Sequence, residues 1–323
     1  MEPTTLQEAI VYFANPDNCR EYLVARRWPN GVECPTCGNK EGIGFLAKQN
    51  RWQCRYKHSQ RQFSLKTGTI FEDSPIGLDK WLMAMWQVVN DRNGISSYEV
   101  HRMIGVSQKT AWFLDHRIRH ALTTGSIDKM SGEIEADETF VGGKARNMHA
   151  DVKARKITGT GGKDKAMVLG ILERSKDGKP SKVRTKVVDN RMKKALQSEI
   201  RQHVEAGSAI FTDALKSYDG LTEFEHQVVD HAVEYVRGNV HTNGLENFWS
   251  LLKRGLKGRY ISVEPFHLFR YLDEQMFRYN NRKDDDGAPL KDFDRFDIAV
   301  RQIVGKRLTW NHLTGKERPA EVA

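Results

Sequence analysis

The early cysteines constrain this chain's fold more than any other feature. Cys34-Pro-Thr-Cys37 puts two thiols on one tight turn, and Cys54 and His58 offer a second pair. Together they make a tetrahedral ligand set for a structural Zn2+. Metal binding lets a module too small to fold on its own core fold at all. The alternative is four unrelated side chains. The knuckle CPTCG is the specific half of the pattern, and Cys54 with His58 the less specific half. Cys19 stands apart as a buried or free thiol. Such a cluster suits metal binding in a reducing cytoplasm better than a disulfide framework.

The texture around the knuckle divides the chain. Residues 1–30 read as N-terminal helices, with Thr5 capping LQEAIVYFA. Residues 31–72, with the short runs IGFLAK, RWQCR and QFSLKTGTIF, read as a strand-rich zinc ribbon. Residues 78–125 read as helical and as a helix-turn-helix-like DNA-binding unit. There one helix ends at Gly105, Ser107 caps the next, and Gln108, Lys109 and Thr110 stand at its start while Ala111, Trp112, Leu114 and Ile118 pack inward. An ordinary helical hairpin would share that pattern. Residues 131–282 alternate strands and helices and predict a mixed α/β domain, and residues 283–323 a C-terminal tail. Lys144 to Lys165, with seven basic and two acidic residues, is expected to be a mobile loop, and the DDDG run at Asp284 a solvated turn.

Composition narrows the partners. No window approaches the roughly 18 apolar residues of a membrane span, and the N-terminus lacks the pattern of a secretion signal, so a cytoplasmic protein with no membrane partner is expected. A net charge of +9 favours a polyanion, although a solvated basic surface would also account for it.

Inside this basic chain lies an acidic strand. In GEIEADETFV, alternation puts Glu133, Glu135, Asp137 and Thr139 on one face, and Ile134, Ala136 and Phe140 on the other. Asp213 follows the apolar run SAIF, at a strand end where a side chain is held rigidly. Glu246 lies on HTNGLENFWSLLKRGL, whose Leu245, Phe248, Trp249, Leu252 and Leu256 follow helical spacing. Asn243 shares its helix face, and Lys253 falls almost over it about two turns on. Carboxylates of this kind suit a pair of hard divalent cations that cut phosphodiesters, although each acid alone could be an ordinary surface residue.

The motifs IEADETFVGGK, FTDALKSY and HTNGLENFWSLLKRGLKGRY, with CPTCG and FSLKTGTIFEDS, resemble insertion-sequence DDE transposases that carry an N-terminal zinc ribbon. The likeness spans nearly the whole chain. It implies an RNase H-like catalytic domain, a mixed sheet flanked by helices, preceded by the ribbon and the helical unit. It carries the catalytic roles onto Asp137, Asp213 and Glu246, with two Mg2+ or Mn2+ ions, and gives Asn243 and Glu135 as supporting residues. Some relatives use asparagine as the third catalytic residue, so Asn243 competes with Glu246. The fourth zinc ligand also departs from the family, whose second knuckle is commonly Cys-x2-Cys. The helix-turn-helix pattern puts Gln108 and Lys109 against DNA, and the resemblance adds Lys253, with Arg254, Lys257 and Arg259 gripping phosphates beside it, terminal inverted repeats and target DNA as partners, a homo-oligomer on paired ends, and association with the nucleoid. The alternative is a non-catalytic DNA-binding regulator derived from a transposase; a nuclease without strand transfer is a third reading.

Overall fold

Local capping rules set where the first helices start. In the computed structural model, which describes residues 2–123, 128–142, 151, 165–229, 240–261 and 263–316, α1 (Leu6–Phe13) opens with a capping box: Thr5 accepts from the Glu8 amide and Glu8 accepts from the Thr5 amide. Asn15 caps α2 (Pro16–Arg27), which has proline in its first turn. The strands β1 (Ile43–Leu46), β2 (Arg51–Cys54) and β3 (Gln62–Phe63) form an antiparallel sheet in that order. Three further helices follow: α3 (Leu78–Asn90), α4 (Ser97–Ile104) and α5 (Gln108–Ala121). Gly105 ends α4 in the left-handed conformation at φ 63°, and the Ser107 hydroxyl accepts from the Thr110 amide to start α5. Ala111, Leu114 and Ile118 are buried as expected, and Trp112 is half-buried.

These elements form one compact unit, Met1–Thr123 with Lys291–Ala323. Its composition corrects the expectation of a C-terminal tail over 283–323. Of the described residues there, 283–290 belong to the second unit, while α9 (Asp292–Arg301) and α10 (Trp310–Leu313) belong to the first. The reason is apolar: Phe296, Ala299, Val300, Ile303, Leu308 and Leu313 are all buried. Phe296 stacks on Tyr22 at 5.7 Å and meets Trp86 at 5.1 Å, and Ile70 donates to the Ile303 carbonyl.

The second unit, Thr124–Leu290, is built on β4 (Glu133–Val141), β5 (Ala166–Glu173), β6 (Lys182–Val188), β7 (Ala209–Asp213) and β8 (Glu225–Val229). The strand order is β6-β5-β4-β7-β8, with β5 antiparallel to both neighbours and β4, β7 and β8 mutually parallel. Helices α6 (Lys193–His203), α7 (Asn243–Gly255) and α8 (Leu268–Asn280) flank this mixed sheet, the α/β class that the sequence implied. Alternation sorts the strand residues into two cores. Ile134, Ala136, Leu169 and Ile171 pack with Leu196 and Ile200 of α6, whereas Val168, Leu172 and Val183 pack with Leu245, Phe248 and Leu252 of α7 and Leu272 of α8. The acidic phase of β4 therefore points to the α7 side. At the DDDG run Asp284 accepts from the amides of Asp286 and Ala288, closing the expected turn. The expected loop over Lys144 to Lys165 lies, except for Asp151 and Lys165, outside the described residues. Among the described residues no helix is long and apolar enough to cross a membrane.

Candidate functional site

The ribbon ligands converge. The Sγ atoms of Cys34, Cys37 and Cys54 and a ring nitrogen of His58 all lie within 4.8 Å of one another. Cys37 and Cys54 are 3.7 Å apart, and Cys34 Sγ is 3.4 Å from His58 Nε2. A tetrahedron with Zn–S bonds of about 2.3 Å has sulfur–sulfur edges of about 3.8 Å, so these four side chains fit zinc. Asn39 donates to Cys37 through backbone and side chain and lowers its thiol to about 7, which favours the thiolate a metal needs. His58 stands in the fourth position of this cluster, reached through the wider Cys-x3-His spacing. Cys19 is buried outside the cluster and donates to the Phe13 carbonyl.

The carboxylates are organised by sheet register. Ala136 pairs with Thr212 on the parallel neighbour, so Asp137 and Asp213 take the next position on adjacent strands and share a face. Asp213 accepts from the Leu215 amide at 3.1 Å. Burial raises Asp137 to about 7, helped by the negative charges of Glu138 and Asp213 and opposed by the hydrogen bond from Trp249.

Helix α7 brings the third acid. On the strand opposite Asp137, Gly170 leaves room for it: a Cβ there would stand 2.5 Å from the Trp249 ring and 2.8 Å from Leu245. Through that close approach Trp249 Nε1 donates to Asp137 Oδ2 at 2.9 Å. The helix start is held from the sheet as well. Thr242 makes no side-chain cap; instead, Glu135 Oε2 on β4 accepts from the Leu245 amide at 2.9 Å, satisfying one of the first-turn donors with a carboxylate. Glu135 in turn receives Arg174 Nε at 2.9 Å, and Arg174 also donates to the His241 carbonyl at 2.7 Å. Gly244 is required here, since a Cβ would come within 2.8 Å of Glu135 Oε2. The expected supporting residue Glu135 thus contacts the helix that carries Glu246.

Glu246 and Asn243 are exposed on the first turn of α7. Among the described residues, the ligand atoms of Asp137, Asp213 and Glu246 do not close to within 4.8 Å of one another as those of the ribbon do. Lys253 is half-buried and feels the charge of Asp137; Arg254 and Lys257 are exposed and Arg259 is half-buried. At the start of α5, Gln108 donates to Ser97 Oγ at 2.9 Å, and the exposed Lys109 lies 4.6 Å from the Trp310 ring centre.

Two residues escaped the sequence reading. Glu138 lies on the apolar phase of β4, accepts from the Tyr218 hydroxyl at 2.7 Å, faces Arg191 at 3.5 Å, and is raised by burial. Its signal was a carboxylate breaking the apolar alternation of that face. Helical spacing gives Trp249 only a packing role, and no local pattern reveals its bond to Asp137.

Residues 129–280 match the ISXO2-like transposase domain, and residues 14–56 match the transposase zinc-ribbon domain. An uncharacterised protein of the transposable element ISH50 in Halobacterium salinarum is 29% identical over 76% of this chain and 84% of its own length. A transposase-like protein of Haemophilus influenzae is 35% identical over 31% of this chain and 82% of its own. These matches define a transposase with a zinc ribbon ahead of its main domain. The chain belongs to the transposases, with its main domain similar to the ISXO2-like transposase domain, and that membership implies DNA as its partner.

Proposed function

We propose that this protein is the transposase of an insertion sequence, cutting DNA at the element's terminal inverted repeats and joining the freed 3′-hydroxyls to target DNA. The observation that carries this reading is the pair Asp137 and Asp213 on adjacent parallel strands, with α7 hydrogen-bonded to the first of them. The five-stranded mixed sheet, ordered β6-β5-β4-β7-β8, supports an RNase H-like reading of this domain. The donor set is all carboxylate oxygen, which fits Mg2+ or Mn2+. Two such ions held by Asp137, Asp213 and Glu246 would supply an activated water and charge stabilisation at the phosphodiester. Trp249 fixes the rotamer of Asp137, and Glu135 fixes the start of the helix bearing Glu246 and Asn243. Lys253, Arg254, Lys257 and Arg259 hold phosphates, contacts that position rather than read sequence.

The ribbon and the α4–α5 pair, with Gln108 and Lys109, recognise the ends, and two or more chains pair them at the nucleoid in the cytoplasm. No covalent protein intermediate is required. Incubating the protein with labelled element ends and Mg2+ or Mn2+ tests the reading: nicked and joined products are expected, and Asp213→Ala should bind ends without cutting them. A gel shift without nicking by the wild type would instead identify a regulator, and nicks without joined products a nuclease.

A further inference from the structure

The first unit contains a cavity of about 240 Å3 that none of the roles above uses. Three aromatic residues line it: Trp81 of α3, Phe113 of α5 and Trp310 of α10. Two cations complete it. Lys109, on the first turn of α5, is exposed and lies 4.6 Å from the Trp310 ring centre. Arg117, two turns further along the same helix, is only 4% exposed, and its guanidinium lies 5.3 Å from the ring centres of both Trp81 and Phe113. Among the described residues Arg117 makes no ion pair. One Nη donates to the Glu72 carbonyl, and the buried Nε–H has no partner. The one carboxylate on the rim, Asp73, is matched by Arg307 at 2.7 Å.

A buried guanidinium with an unused donor is costly unless something completes it. The walls say what kind of group that is. Aromatic faces take planar rings by stacking, cations above and beside them take phosphate, and the volume falls below the roughly 300–1,000 Å3 of sites that enclose larger ligands. The cavity also opens on the first turn of the helix proposed to meet DNA, so this inference rests on that reading. We propose that it receives one unstacked nucleotide of the bound DNA, its base against Trp310 and Phe113, its phosphate at Lys109 and a base acceptor at Arg117. Removing one base from the stack is costly, and stacking on protein rings offsets that cost without demanding a particular sequence.

The test uses the full chain without added Mg2+ or Mn2+. Oligothymidylate carrying one 5-iodouracil is photo-cross-linked to the wild type, and the attachment site is mapped by mass spectrometry. The expected site is Trp310, Phe113 or Trp81; attachment confined to rings elsewhere, such as Phe45 or Trp52 of the ribbon sheet, would overturn the proposal. Trp310→Ala should weaken oligothymidylate binding at least about fivefold and leave duplex affinity within about twofold. Equal weakening of both, or of neither, contradicts it. Should that variant not fold, Trp310→Leu, which keeps an apolar side chain but removes the stacking face, should give the same selective loss. Displacement of the strand by inorganic phosphate as effectively as by thymidine monophosphate would mark a plain anion site and sink the idea. Failure to bind either DNA would defeat the DNA-binding reading itself, whereas duplex binding with no single-strand selectivity defeats only the pocket.

Discussion

The ribbon and the proposed carboxylate site both gather candidate metal ligands, yet they are built differently. The ribbon draws its four ligands from 25 consecutive residues, Cys34 to His58, and brings them within 4.8 Å of one another. The carboxylate site takes Asp137 from one strand, Asp213 from its parallel neighbour and Glu246 from a helix docked onto the sheet. In the first the ligands are the core. In the second they ride on a core made by other residues, so their geometry depends on Gly170, Gly244, Trp249 and Glu135. A local site should fail by losing its metal, and a distributed site by small shifts in packing.

The largest effect expected is at the ribbon. Zinc binding to such modules contributes on the order of 10–16 kcal/mol to folding. Cys54→Ser should therefore lower bound zinc well below one ion per chain and abolish ordered β1–β3 in hydrogen exchange, while the amides of β4–β8 stay protected. Undiminished zinc content in that variant would contradict the ligand set.

The same contrast can be sharpened with glycines. Gly170→Ala forces a Cβ into Trp249 and should cost about 1–3 kcal/mol in urea unfolding, with about a tenfold or greater loss of DNA cleavage. Gly44→Ala in the ribbon meets nothing within 4 Å and should stay within about 0.5 kcal/mol of the wild type. Similar costs at both positions would show that α7 does not dock as closely as described.

A smaller effect follows from Asp137. Its carboxyl is raised to about 7 by burial, so the group is neutral below that pH and charged above it. Because a metal ion needs the charged form, cleavage at subsaturating Mg2+ should rise with pH up to about 7 and then level off. A rate flat from pH 5 to 8 would break the link between burial and metal affinity. The smallest change should come from Trp249→Phe, which keeps the ring but removes the hydrogen bond to Asp137. A loss of about 0.5–1.5 kcal/mol, read as a few-fold drop in cleavage with little change in DNA affinity, is expected.

Much of this was legible in the sequence because the signals were local. The knuckle CPTCG, the Ser107 cap after Gly105 and the alternation of β4 each depend on neighbours a few residues apart. What escaped depends on register across strands or on distant packing. Gly170 matters only because it lies opposite Asp137, and Trp249 only because that glycine admits it. Glu138 was hidden because its partner Tyr218 lies 80 residues on. The residues after 283 read as a tail because their helices are short, and their apolar faces make sense only beside Tyr22 and Trp86.

In the proposed reaction Asp213 holds a divalent ion. Asp213→Cys replaces a hard oxygen ligand with a soft sulfur that Mg2+ binds poorly and Mn2+ accepts better. Cleavage and joining of labelled element ends by this variant should be lost in Mg2+ and partly restored in Mn2+, beyond any Mn2+ gain of the wild type. Activity equal to the wild type in Mg2+, or an equal deficit in both metals, would contradict the account.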